Sequence, residues 1–314
     1  MYTHAMMIYL YTETPLHAGS GQSVATVDLP IQREVATNYP FIQASGIKGK
    51  LRAEADAKLG ENNRKVTDVF GPAQKQMQNG NAAGNAYTGA ISPGDAKLLL
   101  FPVRSLFGVF AWATSRALLA RFARDYSAVG GAKTTWSIPA PTPEGEVLVA
   151  PSSDLVKQVN DHSKVVLEEF AYAAKSNDDV QKIGEWLAQH ALPQGDEYRY
   201  WRNSLPSRLV ILPEDDFRDY ANLSTQIATR IKINNETKTV DKENGALWTE
   251  ESIPAETLLY VPIFASNASK SSAENGLKLL KDDMKLKRIQ FGGNETVGRG
   301  LTAVRYGGIS NANV

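Results

Sequence analysis

The chain has 314 residues, of which 42% are hydrophobic, and its 34 Lys and Arg residues balance its 34 Asp and Glu residues. This length and apolar content are enough for a substantial core, in one elaborated domain or in two. A formal net charge of zero argues against a nucleic-acid binder that relies on bulk charge. It still permits a local basic groove, or a subunit of a larger assembly.

The sequence has no cysteine and four histidines. Disulfides, thiolate zinc sites and cysteine nucleophiles are therefore excluded, and the histidines show no metal-binding spacing. The N-terminus lacks the pattern of a secretion signal. The most apolar tract, residues 98–122, contains Arg104 and Arg116, and the stretch between them is too short to cross a bilayer. We therefore expect a soluble, cytoplasmic protein with no membrane partner.

The first third of the chain predicts strand, helix and loop in that order. A first strand covers residues 1–14, and a helix covers residues 45–60, with Ser45 placed to cap its N-terminus. Residues 72–94 are rich in Gly, Asn, Gln and Ala, which predicts a mobile surface loop.

The rest of the chain mixes helices and strands without a repeat. A largely apolar helix is predicted from about Ser105 to Tyr126, a second helix around 153–160, a strand over 165–174 and an amphipathic helix over 178–192. A strand is then predicted over residues 208–213, a helix over 214–223 and a two-stranded excursion over 229–251. They are followed by a strand over 258–265, a helix over 272–284 and a glycine-tipped hairpin over 287–306. This pattern suggests an α+β protein with a ferredoxin-like core.

Residues 291–300, FGGNETVGRG, place four glycines and one arginine between two strand-like flanks. Glycine lets backbone amides approach an oxyanion closely and permits positive φ. The segment matches neither the Walker loop nor the dinucleotide-binding fingerprint, so its expected context is the tip of a β-hairpin. Taken alone, it fits a phosphate-binding loop and an unliganded turn about equally.

A second candidate anion site lies in residues 16–52, where a polar, glycine-rich loop leads to the predicted helix start. Lys48 and Arg52, four residues apart, share one face of that helix, and Ser45 lies in its first turn. Two such features at opposite ends of the chain favour a polyanion over a mononucleotide, because an extended backbone needs several anchors. The alternative, a merely solvated helix face, suits Lys50 better than Lys48.

Five stretches, in order, resemble the backbone-subunit family of the type III-B CRISPR Cmr complex, within the RAMP superfamily. They are HAGSGQSVATVDLPIQRE, FIQASGIKGKLR, GDAKLLLFPVRSLFGVFAWATSRALLARF, ATRIKINNETKTV and GGNETVGRG. The DLPIQRE and FPVRSLFGVFAWAT blocks are specific to that family, whereas the glycine loop is shared across the superfamily.

The resemblance implies a ferredoxin-like (RRM-like) palm with insertions, in a single elaborated RAMP domain over residues 1–314, and a thumb-like β-hairpin near 224–251. It also implies that copies of the chain form a filament along a guide crRNA. The subunit is then expected to be a metal-dependent endoribonuclease that cleaves complementary target RNA at regular intervals, in antiviral defence. The implied partners are crRNA, target RNA, further copies of the chain and other Cmr subunits. The positions expected to contact RNA are Ser45, Lys48, Lys50, Arg52, Gly292, Gly293, Gly298, Arg299 and Gly300.

Asp28 is the sole carboxylate between Glu13 and Glu34, and it matches the position that carries cleavage in the family. Without cysteine or a histidine pair, the expected cofactor is an oxygen-liganded Mg²⁺ or Mn²⁺, held by Asp28 together with waters and substrate phosphates. The alternative for Asp28 is a turn-forming residue before Leu29–Pro30.

Three further residues are weaker candidates. His17 is a possible proton carrier or RNA contact, or else a polar residue at a strand end. Glu250 and its neighbour Glu251 are possible additional carboxylates, from the same or a neighbouring subunit, or else solvated acids.

Three functions remain open at this point. The first is a guide-bound filament subunit with its own nuclease, and the second is a non-catalytic structural RNA-binding backbone. The third is a small-molecule phosphotransferase, against which the missing Walker and kinase signatures argue.

Overall fold

The computed structural model describes residues 1–21, 26–61, 63–72, 87–232, 247–268 and 270–314. The strands in these ranges are β1 (His4–Thr12), β2 (Phe41–Ile42), β3 (Ile91–Pro93), β4 (Ala96–Arg104), β5 (Phe110–Ser115), β6 (Glu146–Val149), β7 (Lys157–Val159), β8 (His162–Leu167), β9 (Phe170–Ser176), β10 (Leu209–Leu212), β11 (Gln226–Ile231), β12 (Leu247–Ser252), β13 (Leu258–Ala265), β14 (Arg288–Gln290), β15 (Leu301–Tyr306) and β16 (Ser310–Asn311).

The helices in the same ranges are α1 (Ala44–Leu59), α2 (Arg64–Phe70), α3 (Arg116–Ala128), α4 (Asp178–His190), α5 (Arg199–Arg208), α6 (Glu214–Leu223) and α7 (Ala273–Lys278). Helix α7 continues as a π-helical turn over Leu279–Met284. No helix of the described ranges is both long enough and apolar enough to span a membrane.

Most strands of the described residues belong to one sheet. Its order is β14-β15-β1-β13-β4-β5-β10-β6-β9-β8-β7, with β16 beside β1, β2 beside β4 and β3 beside β13. The β5–β10 and β6–β9 pairs are parallel, whereas the pairs that β1 makes with β13 and β15 are antiparallel. β11 and β12 pair with each other in a separate two-stranded sheet. The α+β class is therefore confirmed.

The core lies on both faces of the main sheet, and β1, the third strand in the order, contributes to both faces. Alternate side chains of a strand face opposite sides, and those of β1 are buried on both sides. Met6, Ile8 and Leu10 join the apolar cluster covered by α1, α2, α6 and α7. Met7 and Tyr9 join a second cluster, covered by α3, α4 and α5.

Several predicted elements are confirmed. The predicted first strand is β1, and the predicted helix over 178–192 is α4. The strand over 208–213 is β10, the helix over 214–223 is α6 and the strand over 258–265 is β13. The two-stranded excursion corresponds to β11 and β12, although its residues 233–246 lie outside the described residues. Helix α4 begins where predicted because Asn177 caps it by accepting a hydrogen bond from the Asp179 amide at 2.8 Å.

The predicted helix from Ser105 to Tyr126 is wrong in its first half. Residues 110–115 form β5, and α3 begins at Arg116, capped by the Ser115 hydroxyl. An apolar run that is buried on both sides fits a helix and a strand equally well. The turn before β5 decides between them, because Gly108 and Val109 both have φ 73° and therefore interrupt a helix.

Three further predictions need correction. The helix predicted around 153–160 is absent from this described segment, which instead contains β7. The strand predicted over 165–174 spans two strands, β8 and β9, which turn at Glu168 with φ 49°. Of the loop predicted over 72–94, residues 73–86 lie outside the described residues and Ile91–Pro93 form β3.

A half-buried carboxyl group lies on the connection between β12 and β13. Glu256, with φ 69°, accepts hydrogen bonds from the Tyr11 hydroxyl and the Trp201 indole. Its carbonyl oxygen accepts another from Trp112 Nε1 at 3.0 Å. Burial raises the pKa of Glu256 to about 7, so this carboxyl group is largely protonated in mildly acidic solution.

The raised pKa of Glu256 predicts a pH-dependent stability. The folded pKa of about 7 exceeds the unfolded value of about 4.3, so its contribution is complete below pH ~4 and is lost as pH rises through about 7. The free energy of unfolding of the natural protein should therefore decline between pH 4.5 and 8. Glu256→Gln is neutral at every pH, so we expect its decline to be smaller by about 1–2 kcal/mol. Urea unfolding of both proteins across that range measures the difference; parallel curves would contradict the assignment.

Candidate functional site

Asp28 is fixed against β12 by a reciprocal set of hydrogen bonds with Thr249. Its Oδ2 accepts from the Thr249 amide at 2.7 Å and from the Thr249 hydroxyl at 2.8 Å, and its own amide donates to that hydroxyl oxygen at 3.0 Å. The carboxylate is exposed, and the Thr249 hydrogen bonds hold its pKa below the usual range. Asp28 is therefore an anion at neutral pH, suited to binding a cation or orienting a hydroxyl group and unsuited to donating a proton.

The segment that follows Asp28 is joined to β12 along its length. The Leu29 amide donates to the Thr249 carbonyl at 3.0 Å, and the Glu251 amide donates to the Leu29 carbonyl at 3.0 Å. The Ile31 amide donates to Glu251 Oε2 at 3.1 Å, and Arg33 forms an ion pair with Glu251 Oε1 at 2.5 Å. Glu251 thus positions the Asp28 segment, and both of its carboxylate oxygens are occupied.

His17 lies at the next contact point along β12. Its Nδ1 is 2.6 Å from the carbonyl oxygen of Glu251, so Nδ1 carries the hydrogen and Nε2 is the acceptor in the neutral ring. The ring is 8% exposed, and Nε2 faces the position that a Cβ on Gly19 would occupy, at 2.8 Å. Thr249 and Glu251 are two strand residues apart, about 7 Å, so β12 sets the spacing between the Asp28 and His17 contacts.

Glu250 has a different environment from its neighbours. Strand alternation puts its side chain on the face of β12 opposite to that of Thr249. It is 2% exposed, its Oε2 is 3.8 Å from Arg230 Nε, and its Oε1 is buried with no hydrogen-bond partner among the described residues. The structure therefore separates Glu250 from the exposed carboxylate of Asp28.

The glycine loop is the tip of the β14–β15 hairpin, as predicted, and it contacts His17. The Gly293 amide donates to the His17 carbonyl at 3.0 Å. Gly292 has φ 76°, and a Cβ on it would lie 2.2 Å from the His17 carbonyl oxygen. Gly300 has φ 75°, and a Cβ on it would lie 1.9 Å from the Phe291 carbonyl oxygen. These two positions therefore require glycine for steric reasons.

The other positions of this loop are less constrained. Gly298 has φ 76°, but a Cβ there would meet open space. Arg299 is half-buried, and its carbonyl accepts a hydrogen bond from Gln290 Nε2 at 3.2 Å. The same Gln290 amide donates to the carbonyls of Phe291 and Gly292, at 3.1 and 3.0 Å. Gln290 thus holds both ends of the loop.

The start of α1 differs in one respect from its prediction. Gln43 occupies the N-cap position, and Asp95 Oδ1 accepts the hydrogen bond of the Ala44 amide at 2.7 Å. Ser45 therefore lies inside the first turn and does not cap the helix. The amides of Ser45 and Gly46 donate to no residue in the described part of the chain, and both residues are exposed.

Gln32 connects this helix start with the His17 segment. Its Nε2 donates to the Gly19 carbonyl at 3.1 Å, and its Oε1 accepts from the Gln43 amide at 2.9 Å. The His17 segment, the Asp28 segment, the glycine loop and the start of α1 are thus linked by direct hydrogen bonds into one surface.

The three predicted cations of α1 differ in their availability. Lys50 and Arg52 form ion pairs one helical turn away, with Glu54 at 3.0 Å and Asp56 at 3.6 Å. Lys48 has no acidic partner among the described side chains and donates to a backbone carbonyl of β3 at 3.3 Å. Burial, and to a lesser degree the charge of Arg52, lowers the pKa of Lys48. Lys48 is therefore the cation best placed to gain from an added anion.

The residues of this surface fit a metal ion only as a single protein ligand. Among the described residues no three His, Asp or Glu side chains lie close enough to hold an ion together. The Asp28 Oδ1 atom, which accepts no hydrogen bond from another described residue, is the carboxylate oxygen open to a cation. Substrate oxygens and waters would have to supply the remaining ligands.

Three residues of this surface were missed by the sequence predictions. Thr249 fixes Asp28, Gln32 links two segments and Gln290 closes the glycine loop. Gln32 lies inside the DLPIQRE block and Gln290 directly before the glycine loop, but nothing in either residue type marks the contact it makes. The Asp28–Thr249 contact joins positions 221 residues apart. Local sequence patterns contain no signal for such contacts.

Comparison with known proteins places these features in a family. The chain matches the RAMP superfamily model over residues 9–303. It is 37% identical over 312 residues to the CRISPR system Cmr endoribonuclease Cmr4 of Pyrococcus furiosus, covering 98% of this chain and 97% of that one. The crystal structure of oligomeric Cmr4 from Pyrococcus furiosus aligns over 98% of both chains with a TM-score of 0.72 and 31% identity.

A more distant structure has the same fold. A chain of the type III-B Cmr-beta complex bound to cognate target RNA aligns over 97% of this chain and 98% of its own, with a TM-score of 0.69 at 22% identity. Because the family match covers almost the whole sequence, the chain belongs to the RAMP superfamily.

Proposed function

We propose that this protein is the backbone subunit of a type III-B CRISPR effector complex, in which it binds the guide RNA and cleaves complementary target RNA. The observation that carries the proposal is the exposed, anionic Asp28 held against Thr249, in a chain 37% identical over nearly its full length to the Cmr endoribonuclease of Pyrococcus furiosus. The unpartnered amides of Ser45 and Gly46 and the glycine loop lie on the same hydrogen-bonded surface and suit a phosphate backbone.

At the level of the fold, we propose a ferredoxin-like palm within one elaborated domain over residues 1–314. The separate β11–β12 sheet is proposed as the base of a thumb near residues 224–251. This assignment is supported by its direct attachment to the candidate site, since β12 carries both Thr249 and the carbonyl contact of His17.

Self-association is part of the proposed function. A similar Pyrococcus structure is described as oligomeric, and a filament of copies along one guide RNA would place one Asp28 at each repeat. The proposed partners are therefore further copies of this chain, crRNA, target RNA and other Cmr subunits.

The chemistry proposed for the site is attack of a ribose 2′-hydroxyl on the adjacent phosphorus, with departure of the 5′-oxygen. This reaction needs in-line alignment and relief of developing negative charge. Asp28 orients a hydroxyl or a hydrated cation through Oδ1, because Oδ2 is occupied by Thr249. His17 Nε2 is the ring atom able to accept a proton, since Nδ1 donates to the Glu251 carbonyl.

A divalent ion, Mg²⁺ or Mn²⁺, remains a proposal for the cofactor. Asp28 would hold it as the sole protein ligand, and the ion would neutralise charge on the phosphate oxygens. The function of the protein residues is then to fix Asp28, orient His17 and hold the RNA backbone against the amide surface.

The proposed function is tested by reconstituting the complex with a guide and a labelled complementary RNA. We expect products spaced at regular intervals, and no cleavage of an RNA that lacks complementarity. Products at random positions, or cleavage independent of the guide, would contradict the proposed role.

Affinity for RNA is expected to depend strongly on salt and weakly on sequence. Phosphate contacts supply the affinity, so the logarithm of the binding constant of single-stranded RNA should fall with the logarithm of salt, by about 0.7 per phosphate contacted. Fluorescence anisotropy with two unrelated RNAs measures the slope. Lys48→Ala should weaken binding and reduce the slope, with Arg104→Gln, an exposed ion-paired residue, as the control. Binding that is unchanged by salt would contradict the phosphate-cradle assignment.

A further inference from the structure

A half-buried arginine with no ion-pair partner among the described residues lies on β15, outside the surface described above. Arg305 stands directly opposite Tyr9 in the β1–β15 ladder, so the two side chains share one face of the sheet. Its Nε is buried with no hydrogen bond, and its guanidinium group makes no ion pair with any residue of the described ranges. Burial lowers the pKa of Arg305. A cation partly removed from water without a counter-charge costs free energy.

Arg305 lines a cavity of about 500 Å³. The polar and aromatic lining consists of Tyr9, Tyr126, His190, Lys281, Arg305, Tyr306 and Ser310, and no acidic residue of the described ranges lines it. Tyr9 is 2% exposed, and its hydroxyl makes no hydrogen bond to another described residue. An arginine, a lysine and a buried phenol thus surround one space, and the described residues that line it include no acid.

Two lining side chains are held in place by their neighbours. His190 stacks on Trp186 with ring centroids 4.6 Å apart, and its Nδ1 is 2.9 Å from the Trp186 carbonyl oxygen, which leaves Nε2 for a ligand. Lys281 Nζ donates to the Gly307 carbonyl at 3.1 Å. Lys281 lies on the π-helical turn, a geometry that occurs frequently at functional sites.

We infer that this cavity binds a phosphate group, carried either by a free nucleotide or by an RNA end. The inference rests on three groups that approach one space from different elements. They are Arg305, which makes no ion pair with a described residue, the Lys281 ammonium and the Tyr9 hydroxyl. A phosphate has several acceptor oxygens and so matches such a set of donors, and the volume is typical of small-molecule sites.

A second cavity extends this site. It measures about 470 Å³ and shares Lys281, Arg305 and Tyr306 with the first. It adds the cations Lys285, Lys287 and Arg288 and the acids Glu197 and Asp282. It has room for the part of the ligand beyond the phosphate. Arg305 is five strand residues beyond Gly300, about 17 Å, so the phosphate site is distinct from the tip of the glycine loop.

The test compares the natural protein with Arg305→Gln, using Arg104→Gln as a matched control because Arg104 is exposed and paired with Glu169. The probes in isothermal titration calorimetry are inorganic phosphate, adenosine 5′-monophosphate and adenosine. We expect the two phosphate-bearing probes to bind the natural protein and the control, adenosine not to bind, and Arg305→Gln to lose about tenfold to a hundredfold in affinity.

Two RNA tetranucleotides, with and without a 5′-phosphate, distinguish the sources of the phosphate. If the phosphorylated tetranucleotide binds more tightly than the mononucleotide, and Arg305→Gln loses that binding, the ligand is an RNA end. If the phosphorylated tetranucleotide binds as tightly as the mononucleotide or less tightly, the ligand is a free nucleotide. Lys281→Ala, on another wall, provides a second variant and should also weaken binding. Since Arg305→Gln removes an unpaired charge, its unliganded melting temperature should equal or exceed that of the natural protein. Equal affinities in natural and Arg305→Gln proteins, or no binding of any phosphate-bearing probe, would overturn the inference.

Discussion

Replacing Asp28 by alanine is expected to abolish cleavage of complementary RNA by the assembled complex while folding, guide binding and assembly stay nearly intact. The carboxylate is exposed, so its loss removes surface hydrogen bonds to Thr249 and leaves the core untouched. Loss of a group that manages a proton or anchors a cation commonly costs ~10²–10⁴ in rate. Single-turnover cleavage of a labelled target by complexes of natural and variant chains measures the effect.

Two further substitutions separate the charge of Asp28 from its position. Asp28→Asn preserves a side-chain oxygen that can accept from Thr249 but removes the negative charge, so it should lose activity almost as fully as alanine. Thr249→Val retains the carboxylate but removes the two hydrogen bonds that Asp28 makes with the Thr249 hydroxyl. The hydrogen bond from the Thr249 amide to Asp28 remains, so the loss of activity should be smaller. Regularly spaced products at the natural rate from the Asp28→Ala complex would contradict the catalytic assignment and favour a non-catalytic RNA-binding backbone.

The strands and helices with a clear apolar period were predictable from the sequence. Helix α4 has a capping Asn177, acidic residues in its first turn and apolar residues on one face, and each of these signals is local. The β14–β15 hairpin was predictable for the same reason, since its glycines stand between two alternating segments. Local propensity and the tertiary environment agree at these places.

The segment over residues 105–126 shows why other elements were not predictable. Residues 106–113, in its first half, include no polar side chain, and β5 is buried between the two core clusters, with Trp112 in one and Ala113 in the other. A pattern without polar positions has no period to separate a helix from a strand. The missed helix α2, only seven residues long, offers too few positions for a period to be detected.

The candidate site was predictable in part. Asp28 stands out in the sequence as an isolated carboxylate within a family motif, which makes it a candidate site residue. Its hydrogen bonds to Thr249, by contrast, depend on a pairing across 221 residues. Glu250 and Glu251 are adjacent and chemically alike in the sequence. In the fold, both carboxylate oxygens of Glu251 are occupied, whereas Glu250 has a buried oxygen with no partner among the described residues.

The glycine loop provides the second large expected effect. Gly300→Ala should destabilise the protein by about 2–4 kcal/mol, because a positive φ and a steric clash act together. Gly300 has φ 75°, and a Cβ would lie 1.9 Å from the Phe291 carbonyl oxygen. The Gly300 amide also donates a hydrogen bond to the Pro15 carbonyl, and the Gly300 carbonyl accepts one from the Phe291 amide, each at 2.9 Å. The backbone therefore cannot move away without losing both hydrogen bonds.

Gly298→Ala is the matched control for this prediction. Its φ of 76° is nearly the same, but a Cβ there meets no atom within 4 Å, so only the conformational cost of about 1 kcal/mol should appear. Urea unfolding measures both variants, and RNA anisotropy shows whether the displaced loop weakens guide binding. If the two variants were equally destabilised, the clash with Phe291 would contribute nothing and φ alone would account for the glycine. A Gly300→Ala protein with weakened RNA binding, beside a Gly298→Ala protein that binds normally, would show that RNA affinity depends on the loop path pinned to Pro15 and Phe291.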